Sequence, residues 1–301
     1  MTSLALGADR IGLGIACAVG GFACFSAGDA VAKWLIGSRG ISAFELFFFY
    51  GLFALPVAVG YAARSGGWGL VRPRLPGPTL LRSALITASA ISAAWAFGRL
   101  PLADVYAILF ATPMLVTALS VPLLGEAVGR HRWAAVVVGF LGILVMLRPG
   151  LTAFDAGHAA ALASPIFFSA ALIVSRRIGR RETDAAQLAL LFLAMALGGG
   201  AALPFVWVRP DALALLGLAA GGVLSAAGHI LLIRALQAGP PSAVTPFQYS
   251  QMIWGVLYGI TLFGDPVDAV TMAGAAVVIG SGLYILWRET RRRSGALLDL
   301  G

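Results

Sequence analysis

The sequence predicts an all-helical integral membrane protein, and three of its features point that way. Hydrophobic residues make up 59% of the 301 positions and charged residues only 11%, whereas a soluble domain carries about 25% charged residues. The apolar residues form long uninterrupted runs, and one stretch of the first half recurs in the second. Because lipid offers no partner to backbone polar groups, runs of about 20 apolar residues are expected to cross it as helices.

Ten apolar runs, each bounded by charge, Pro or Gly, predict ten transmembrane helices. These runs are too long and too uniform for barrel strands, which alternate over roughly ten residues. Most of the 21 Lys and Arg residues fall in connections on one predicted side, and basic residues concentrate on the cytoplasmic side. Both termini are therefore expected in the cytoplasm. The runs lie near 11–37, 42–63, 77–98, 101–124, 131–148, 157–178, 185–207, 211–237, 240–263 and 267–287.

The recurring stretch divides the chain near its middle into a first five-helix repeat, 1–150, and a second, 151–301. Because five is an odd number, the second repeat would be inverted relative to the first. Inverted repeats are typical of secondary transporters that bind substrate near the membrane midplane and expose it to the two sides in turn. The recurrence is carried by Pro101, Val105, Leu123 and Gly125, which return with the same spacing as Pro240, Val244, Leu262 and Gly264.

Composition also bounds the cofactors and partners. Most of the basic residues that give the net charge of +8 lie between apolar runs, where they set topology. No nucleic-acid partner is therefore expected. Cys17 and Cys24 have no metal-ligand spacing, and no Gly-rich phosphate loop is present. We therefore predict no catalytic residue, metal or cofactor, no enzyme activity, and two kinds of partner, a small-molecule substrate and membrane lipid.

Two motifs resemble those of one known family. Each half closes a Pro-led helix with a Gly-acid turn, Gly125-Glu126 and Gly264-Asp265, before a Gly-rich last helix. The first run holds Asp29-Ala30-Val31-Ala32-Lys33, which is similar to the Asp-Ala-x-x-Lys start of many bacterial EamA-type members of the drug/metabolite transporter superfamily. The resemblance implies a central cavity between the two repeats. It also implies substrates such as amino acids, S-adenosylmethionine or riboflavin, and a place in a bacterial inner membrane.

Asp29 and Lys33 are the clearest ionisable residues inside a predicted span. Each costs at least about 2.5 kcal/mol at the centre of a membrane helix, so each is a functional candidate. Four residues apart on one helix, they share a face and can pair. Asp29 is the first candidate for recognising substrate charge or binding a coupling proton. Lys33 is either a coupling or gating residue or an anchor that reaches the headgroups.

Three further ionisable residues are candidates for coupling or gating. Asp104 begins the fourth run, where a carboxylate could equally cap the helix. His229 lies inside the eighth run, where a lone His either bonds a neighbouring helix or carries a proton. Arg234 lies one turn inside the predicted cytoplasmic end of that helix, as a gate charge or an anchor.

The ninth run is the most polar, and it predicts one wall of a binding site. Gln248, Tyr249 and Gln251 would form a polar wall, because amides facing lipid would lack partners. Tyr106, Phe110 and Trp95 would form an aromatic wall that suits an amphipathic organic solute. The alternative for each aromatic residue is packing or anchoring at the membrane interface.

Together these features predict a secondary transporter that moves a small amphipathic organic solute by alternating access, such as an amino acid or an S-adenosylmethionine- or riboflavin-like metabolite. The mixed charge of Asp29 and Lys33 favours a zwitterion or a cation over an anion. The alternatives are a passive channel-like facilitator of the same fold, an integral-membrane enzyme, or a scaffold without transport. Import or export, the coupling ion and the oligomeric state stay open at this point.

Overall fold

A computed structural model describes residues 2–125, 129–147, 154–238, 244–266 and 268–298. In these ranges every regular element is helical. Short 3₁₀ turns cover Trp68–Val71, Gly179–Arg181 and Thr245–Tyr249, and a π turn covers Gly259–Phe263. The α-helices are α1 (Thr2–Arg39), α2 (Ala43–Ser65), α3 (Pro76–Phe97), α4 (Leu102–Leu109), α5 (Thr112–Leu124), α6 (Arg130–Leu147), α7 (Ala156–Ile178), α8 (Asp184–Val206), α9 (Ala212–Ala238), α10 (Ser250–Tyr258) and α11 (Ala269–Leu298).

Seven helical segments of the described chain are long and apolar enough to cross a membrane: α1, α2, α3, α4 together with α5, α7, α8 and α9. Two shorter apolar stretches, Trp133–Leu147 in α6 and Ala269–Ile285 in α11, accompany them. The predicted run 240–263 is interrupted, because its described part consists of a 3₁₀ turn, α10 and a π turn. The protein is a multi-pass membrane protein, as the sequence predicts.

Several helices begin where a side chain satisfies a free backbone N–H group, whereas α3, α4, α5 and α10 begin without such a cap. Ser42 Oγ accepts a hydrogen bond from the N–H of Glu45 at 3.1 Å. Asp211 Oδ1 accepts one from the N–H of Ala214 at 2.7 Å. Such caps replace partners that the first turn of a helix lacks, and they place the helix ends in the short connections rather than inside the bundle.

Four helix pairs carry most of the packing between the two halves of the chain: α1 with α9, α2 with α8, α3 with α7, and α6 with α11. Small residues allow close approach in a membrane, where dispersion replaces the hydrophobic effect as the cause of helix association. On α2, Ala54, Ala58 and Ala62 are fully buried and recur every four residues, so they form a single stripe facing the bundle.

The fourth apolar run is broken between α4 and α5, at Phe110 and Ala111. Pro113 explains the break, because it has no N–H and its ring clashes with the carbonyl four residues earlier, that of Leu109. The Thr112 hydroxyl donates instead to this Leu109 carbonyl at 2.7 Å. The polar backbone exposed by the break is thereby partly satisfied.

The ninth run is broken at the matching position of the second half. Its 3₁₀ turn ends at Tyr249 and α10 begins at Ser250, and Tyr249 occupies the place in the repeat that Phe110 occupies in the first half. The rings of Phe110 and Tyr249 meet edge to face, with centroids 5.0 Å apart. The two interrupted helices therefore touch each other at their breaks.

Candidate functional site

A cavity of about 180 Å³ lies beside the two breaks. It is enclosed by α1, α3, α4, α5, α7, α10 and the 3₁₀ turn before α10, so both halves of the chain contribute to it. Its lining consists of Asp29, Ser89, Ala93, Phe97, Tyr106, Leu109, Phe110, Thr112, Ser164, Pro165, Phe168, Gln248 and Gln251.

Asp29 of α1 is held in the cavity by Tyr106 of α4. The Tyr106 hydroxyl donates a hydrogen bond to Asp29 Oδ2 at 2.8 Å. The Tyr106 side chain is almost fully buried, and Gly255 of α10 lies so close to its ring that a Cβ atom there would overlap it. Because Tyr106 is fixed on both sides, the Asp29 carboxylate has a defined position.

Aromatic rings form a continuous wall on α3 and α4. The Tyr106 ring lies edge to face with Phe97, with centroids 5.4 Å apart, and is stacked with Phe110 at 6.4 Å. Phe168 of α7 adds a further ring to the lining. The wall offers ring faces and edges to an apolar or cationic group.

Polar side chains occupy other parts of the lining. The hydroxyls of Ser89 on α3 and Ser164 on α7 bond each other at 2.9 Å. Gln248 and Gln251 lie three residues apart across the break before α10 and both reach the cavity. An amide offers both donors and an acceptor, so these two groups can orient the polar part of a solute.

A cluster centred on Lys33 closes the bundle near the carboxyl end of α1; we call this end the Lys33 end. The Lys33 ammonium donates to both carboxylate oxygens of Asp265, at 2.7 and 2.9 Å, and to the carbonyl of Leu100 at 3.0 Å. Asp265 Oδ2 also accepts from the N–H of Leu102 at 3.1 Å. Gly264, with φ +64°, makes the left-handed turn that delivers Asp265 to this place.

Lys33 lies one helical turn, about 6 Å, beyond Asp29 along α1. The side chains of Lys33 and Asp265 are only 13% and 17% exposed, and the Phe263 ring lies 5.1 Å from the ammonium. The cluster ties α1, the connection from α3 to α4, and the loop after α10 together. It therefore holds these three elements together at the Lys33 end.

Asp29 and Lys33 do not pair with each other, because Lys33 binds Asp265 and Asp29 binds Tyr106. Spacing by four residues gives the two side chains a shared face, but the Lys33 ammonium extends toward the end of the helix. There it finds a carboxylate and a backbone carbonyl together. The cavity consequently lacks the mixed charge that the sequence suggests.

Five of the seven predicted binding residues line the cavity: Asp29, Tyr106, Phe110, Gln248 and Gln251. The other two lie outside the lining. Tyr249 is buried behind it and packs on Phe110. Trp95 is 37% exposed and lies under the Arg99 guanidinium, 4.4 Å from the ring centroid, as expected of an interface anchor.

The remaining gating candidates also lie outside the lining. The His229 ring packs between those of Phe25 and Phe192, at 4.9 and 5.6 Å, and its Nδ1 lies 2.8 Å from the Ser225 carbonyl on its own helix. Arg234 is exposed. Asp104 occupies the first turn of α4, where its charge suits the helix dipole.

Several lining residues and Asp265 are not among the predicted site residues. Phe97 and Phe168 resemble any packing aromatic in an apolar run. Ser89 and Ser164 carry a weak signal, since hydroxyls inside spans commonly bond another helix. Asp265 is prominent as part of a Gly-acid turn, but nothing in the sequence pairs it with Lys33. Glu126, the acid of the other turn, lies outside the described residues.

Comparison with known proteins assigns this architecture to a family. The model of the EamA-like transporter family matches residues 12–148 and again 155–287. The S-adenosylmethionine uptake transporter of Rickettsia prowazekii is 26% identical over 281 residues, covering 89% of this chain and 90% of that protein. The riboflavin transporter of Rhizobium johnstonii is 27% identical over 298 residues, covering 97% and 96%.

Two further comparisons cover nearly the whole chain. The pseudopaline exporter of Pseudomonas aeruginosa is 26% identical over 276 residues, covering 90% of this chain and 95% of that protein. A solved crystal structure superposes with a TM-score of 0.65 at 18% identity, over 92% of this chain and 97% of the other, and this likeness shows the fold alone. The chain belongs to the EamA-like transporter family, and it is a transporter rather than an enzyme.

Proposed function

We propose that the protein is a secondary transporter that carries a small amphipathic organic solute across a bacterial inner membrane by alternating access. The observation that carries this proposal is the cavity at the two helix breaks, which is lined by one carboxylate, two amides, hydroxyls and aromatic rings from both halves of the chain. Relatives named for S-adenosylmethionine, riboflavin and pseudopaline support the class of solute.

The proposal includes ten membrane segments in two inverted units, 1–150 and 151–301. Counting α4 with α5 as one segment and 244–263 as another gives five segments in each unit. Exchanging the units turns the pair α1–α9 into α7–α3 and leaves α2–α8 and α6–α11 unchanged, and these are the four main packing pairs. Such self-consistency supports a two-fold relation, as does a family model that matches each half once.

The packing of the broken helices supports a state closed at one end. At the Lys33 end, α4 and α10 pack against each other. Their continuations separate, because α5 packs on α6 and α7 whereas the turn Thr245–Tyr249 packs on α1 and α11. Since most basic connections lie at the opposite end, we assign the Lys33 end to the outside, so that the cavity faces the cytoplasm in this state.

Opening to the outside would require Lys33 to leave Asp265 and the Leu100 carbonyl. We assign Lys33 and Asp265 to this outer gate. Asp29, Gln248 and Gln251 would bind the polar part of the solute, and a coupling proton, where one is used, would bind Asp29, the carboxylate of the lining. We assign no step of this cycle to Trp95, Asp104, His229 or Arg234, which lie outside the lining of the cavity.

A passive channel-like facilitator of the same fold is the alternative. It requires a continuous pore, whereas in the proposed cycle the Lys33–Asp265 pair, held by Leu100 and Leu102, would have to open at one end. The two mechanisms differ in exchange. Unlabelled solute on the far side of the membrane speeds the uptake of labelled solute by a carrier, because the carrier returns with solute bound. It does not speed uptake through a pore.

Counterflow in proteoliposomes tests the proposal. Vesicles would be loaded with unlabelled S-adenosylmethionine, riboflavin or an amino acid and then given the same compound labelled outside. We expect saturable, transiently concentrative uptake of at least one compound, lost in Asp29→Asn and kept in Trp95→Leu, a change outside the cavity. Uptake independent of the internal load would favour the facilitator, and no uptake of any compound would contradict the proposal.

A further inference from the structure

We propose that the cavity recognises an organic monocation with an apolar body of about one aromatic ring. This names the solute of the proposed transport cycle and rests on that function for its physiological meaning. The binding step itself can be measured without transport, so the two proposals can fail separately.

The charge of the lining carries the proposal. Of the described residues that line the cavity, Asp29 is the only charged one. The nearest cation along α1, Lys33, is withdrawn from the cavity by Asp265 and the Leu100 carbonyl. Among the described residues no Lys, Arg or His forms an ion pair with Asp29. A membrane-depth site with a single acid and no base is selective for positive charge.

The Asp29 carboxylate has capacity left for a ligand. Its Oδ2 accepts the Tyr106 hydroxyl, and this is the only hydrogen bond given to Asp29 by the described residues. A carboxylate can accept several hydrogen bonds through its two oxygens. A carboxyl group removed from water stays ionised only with an opposite charge or enough donors beside it, and a bound ammonium supplies both.

The walls suit the body of such a cation. A dry cavity of about 150 Å³ is known to hold benzene, and this one measures about 180 Å³, which leaves room for one ring with a compact charged head. The rings of Phe97, Tyr106 and Phe110 lie side by side next to Asp29. A cation near ring faces gains electrostatic attraction, so the wall favours positive charge as Asp29 does.

The polar groups of the lining do not reverse this preference. The Ser89 and Ser164 hydroxyls bond each other. Gln248 and Gln251 are neutral, and they can orient a solute but supply no charge to balance an anion. A zwitterion would place its own carboxylate in a space whose fixed charge is negative, so we expect it to bind less well than the matching cation.

The test is equilibrium binding to the full chain in lipid nanodiscs, with radiolabelled benzyltrimethylammonium as the probe. Phenylacetate, benzyl alcohol and phenylalanine would compete as the anion, the neutral compound and the zwitterion built on the same ring. We expect each competitor to bind at least about tenfold more weakly than the cation, because each lacks the pairing with Asp29 or adds repulsion.

Variants test whether the Asp29 charge is the group that selects the cation. Asp29→Asn keeps the size of the side chain and should weaken binding of the cation at least about tenfold, whereas Asp29→Glu should retain part of it. Glu45→Gln is the matched control, since Glu45 is a buried acid of α2 that binds the N–H of Val208 outside the cavity. Glu45→Gln should leave the affinity for the cation within twofold of that of the wild type.

Phenylacetate binding as tightly as the cation in wild type would overturn the proposal, and this comparison needs no variant to fold. Cation binding unchanged in a folded Asp29→Asn protein would overturn it as well. Counterflow of riboflavin without cation binding would reject the cation and leave transport intact. Cation binding without counterflow of any solute would reject the proposed transport and leave the cation site intact.

Discussion

Two partly buried carboxylates, Asp29 and Asp265, have opposite surroundings. Asp265 receives the Lys33 ammonium on both oxygens and the N–H of Leu102 on one of them. Asp29 receives one hydroxyl, from Tyr106, and borders a cavity. Among the described residues the charge of Asp265 is therefore balanced by Lys33, whereas that of Asp29 meets no cation.

The difference separates a closing contact from a binding contact. A balanced pair inside the protein stabilises one arrangement of the helices that carry it, here α1, the α3–α4 connection and the loop after α10. An unbalanced carboxylate beside an open space makes the empty site higher in free energy than the site with a cation bound. It therefore favours binding of a cation. The two acids should therefore respond differently to the same substitution.

The largest effect is expected at Asp29. In Asp29→Asn both binding and counterflow should fall at least about tenfold, because the amide removes the only charge among the described lining residues. Asp29→Glu should recover part of both, since it restores the charge with a shifted position. Binding and counterflow are measured on the same purified protein, and an Asn variant with full counterflow would make the Asp29 carboxylate structural.

Asp265→Asn should separate the two measurements. Removing one partner of a buried pair costs about 3–5 kcal/mol, and here the cost falls on the closed state alone. We expect counterflow to drop several-fold while binding at Asp29 persists. A cysteine at Ala93, a lining position, in a chain without Cys17 and Cys24 should then react faster with an impermeant thiol reagent from outside.

Exchanging the charges, with Lys33→Asp and Asp265→Lys together, sharpens this prediction. The exchange restores opposite charges but sets a carboxylate against the Leu100 carbonyl and an ammonium against the Leu102 N–H. We therefore expect only partial recovery of counterflow. Full recovery would mean that the backbone partners contribute nothing to the gate.

Tyr106→Phe tests the single donor to Asp29 with a smaller effect. Loss of a hydrogen bond to a charged group costs about 1.5–3 kcal/mol at most, and water in the cavity can replace part of it. We expect the half-saturating solute concentration for counterflow to rise about threefold to tenfold with little change in maximal rate. An unchanged concentration dependence would show that Tyr106 does not position Asp29.

Glu182, a third acid, lies outside the membrane segments and should affect stability but not transport. Burial raises its pKa, but hydrogen bonds from the N–H groups of Leu75, Arg74 and Thr183 and from the Thr79 hydroxyl outweigh this and lower it. A lowered folded-state pKa gives stability that is present above the unfolded value and lost as pH falls through the folded value.

Glu182→Gln should therefore lower the thermal unfolding temperature by a few degrees at pH 7 and leave counterflow within twofold. The gap between wild type and variant should narrow when unfolding is measured below about pH 4.3, the ordinary Glu pKa. A gap that stays constant down to acid pH would contradict the role of the ionised carboxylate.

The sequence was sufficient to predict an all-helical, multi-pass membrane protein. It also singled out Asp29, Gln248 and Gln251, which line the cavity, because polar groups inside apolar runs are costly and stand out. It was insufficient where a residue type fits two environments. Trp95 and Phe97 are two residues apart on α3, yet only Phe97 lines the cavity. Helical spacing suggested Asp29 as the partner of Lys33, whereas the observed partner is 232 residues away.

The most direct test of alternating access is to lock the Lys33 end. Cysteines would replace Lys33 and Asp265 in a chain without Cys17 and Cys24, and a short, reductant-cleavable bifunctional thiol reagent would join them. We predict that counterflow stops on cross-linking and returns after reduction, while each single-cysteine variant is insensitive to the reagent. Counterflow that continues in the fully cross-linked protein would show that the solute does not pass this end, and it would contradict the proposed cycle.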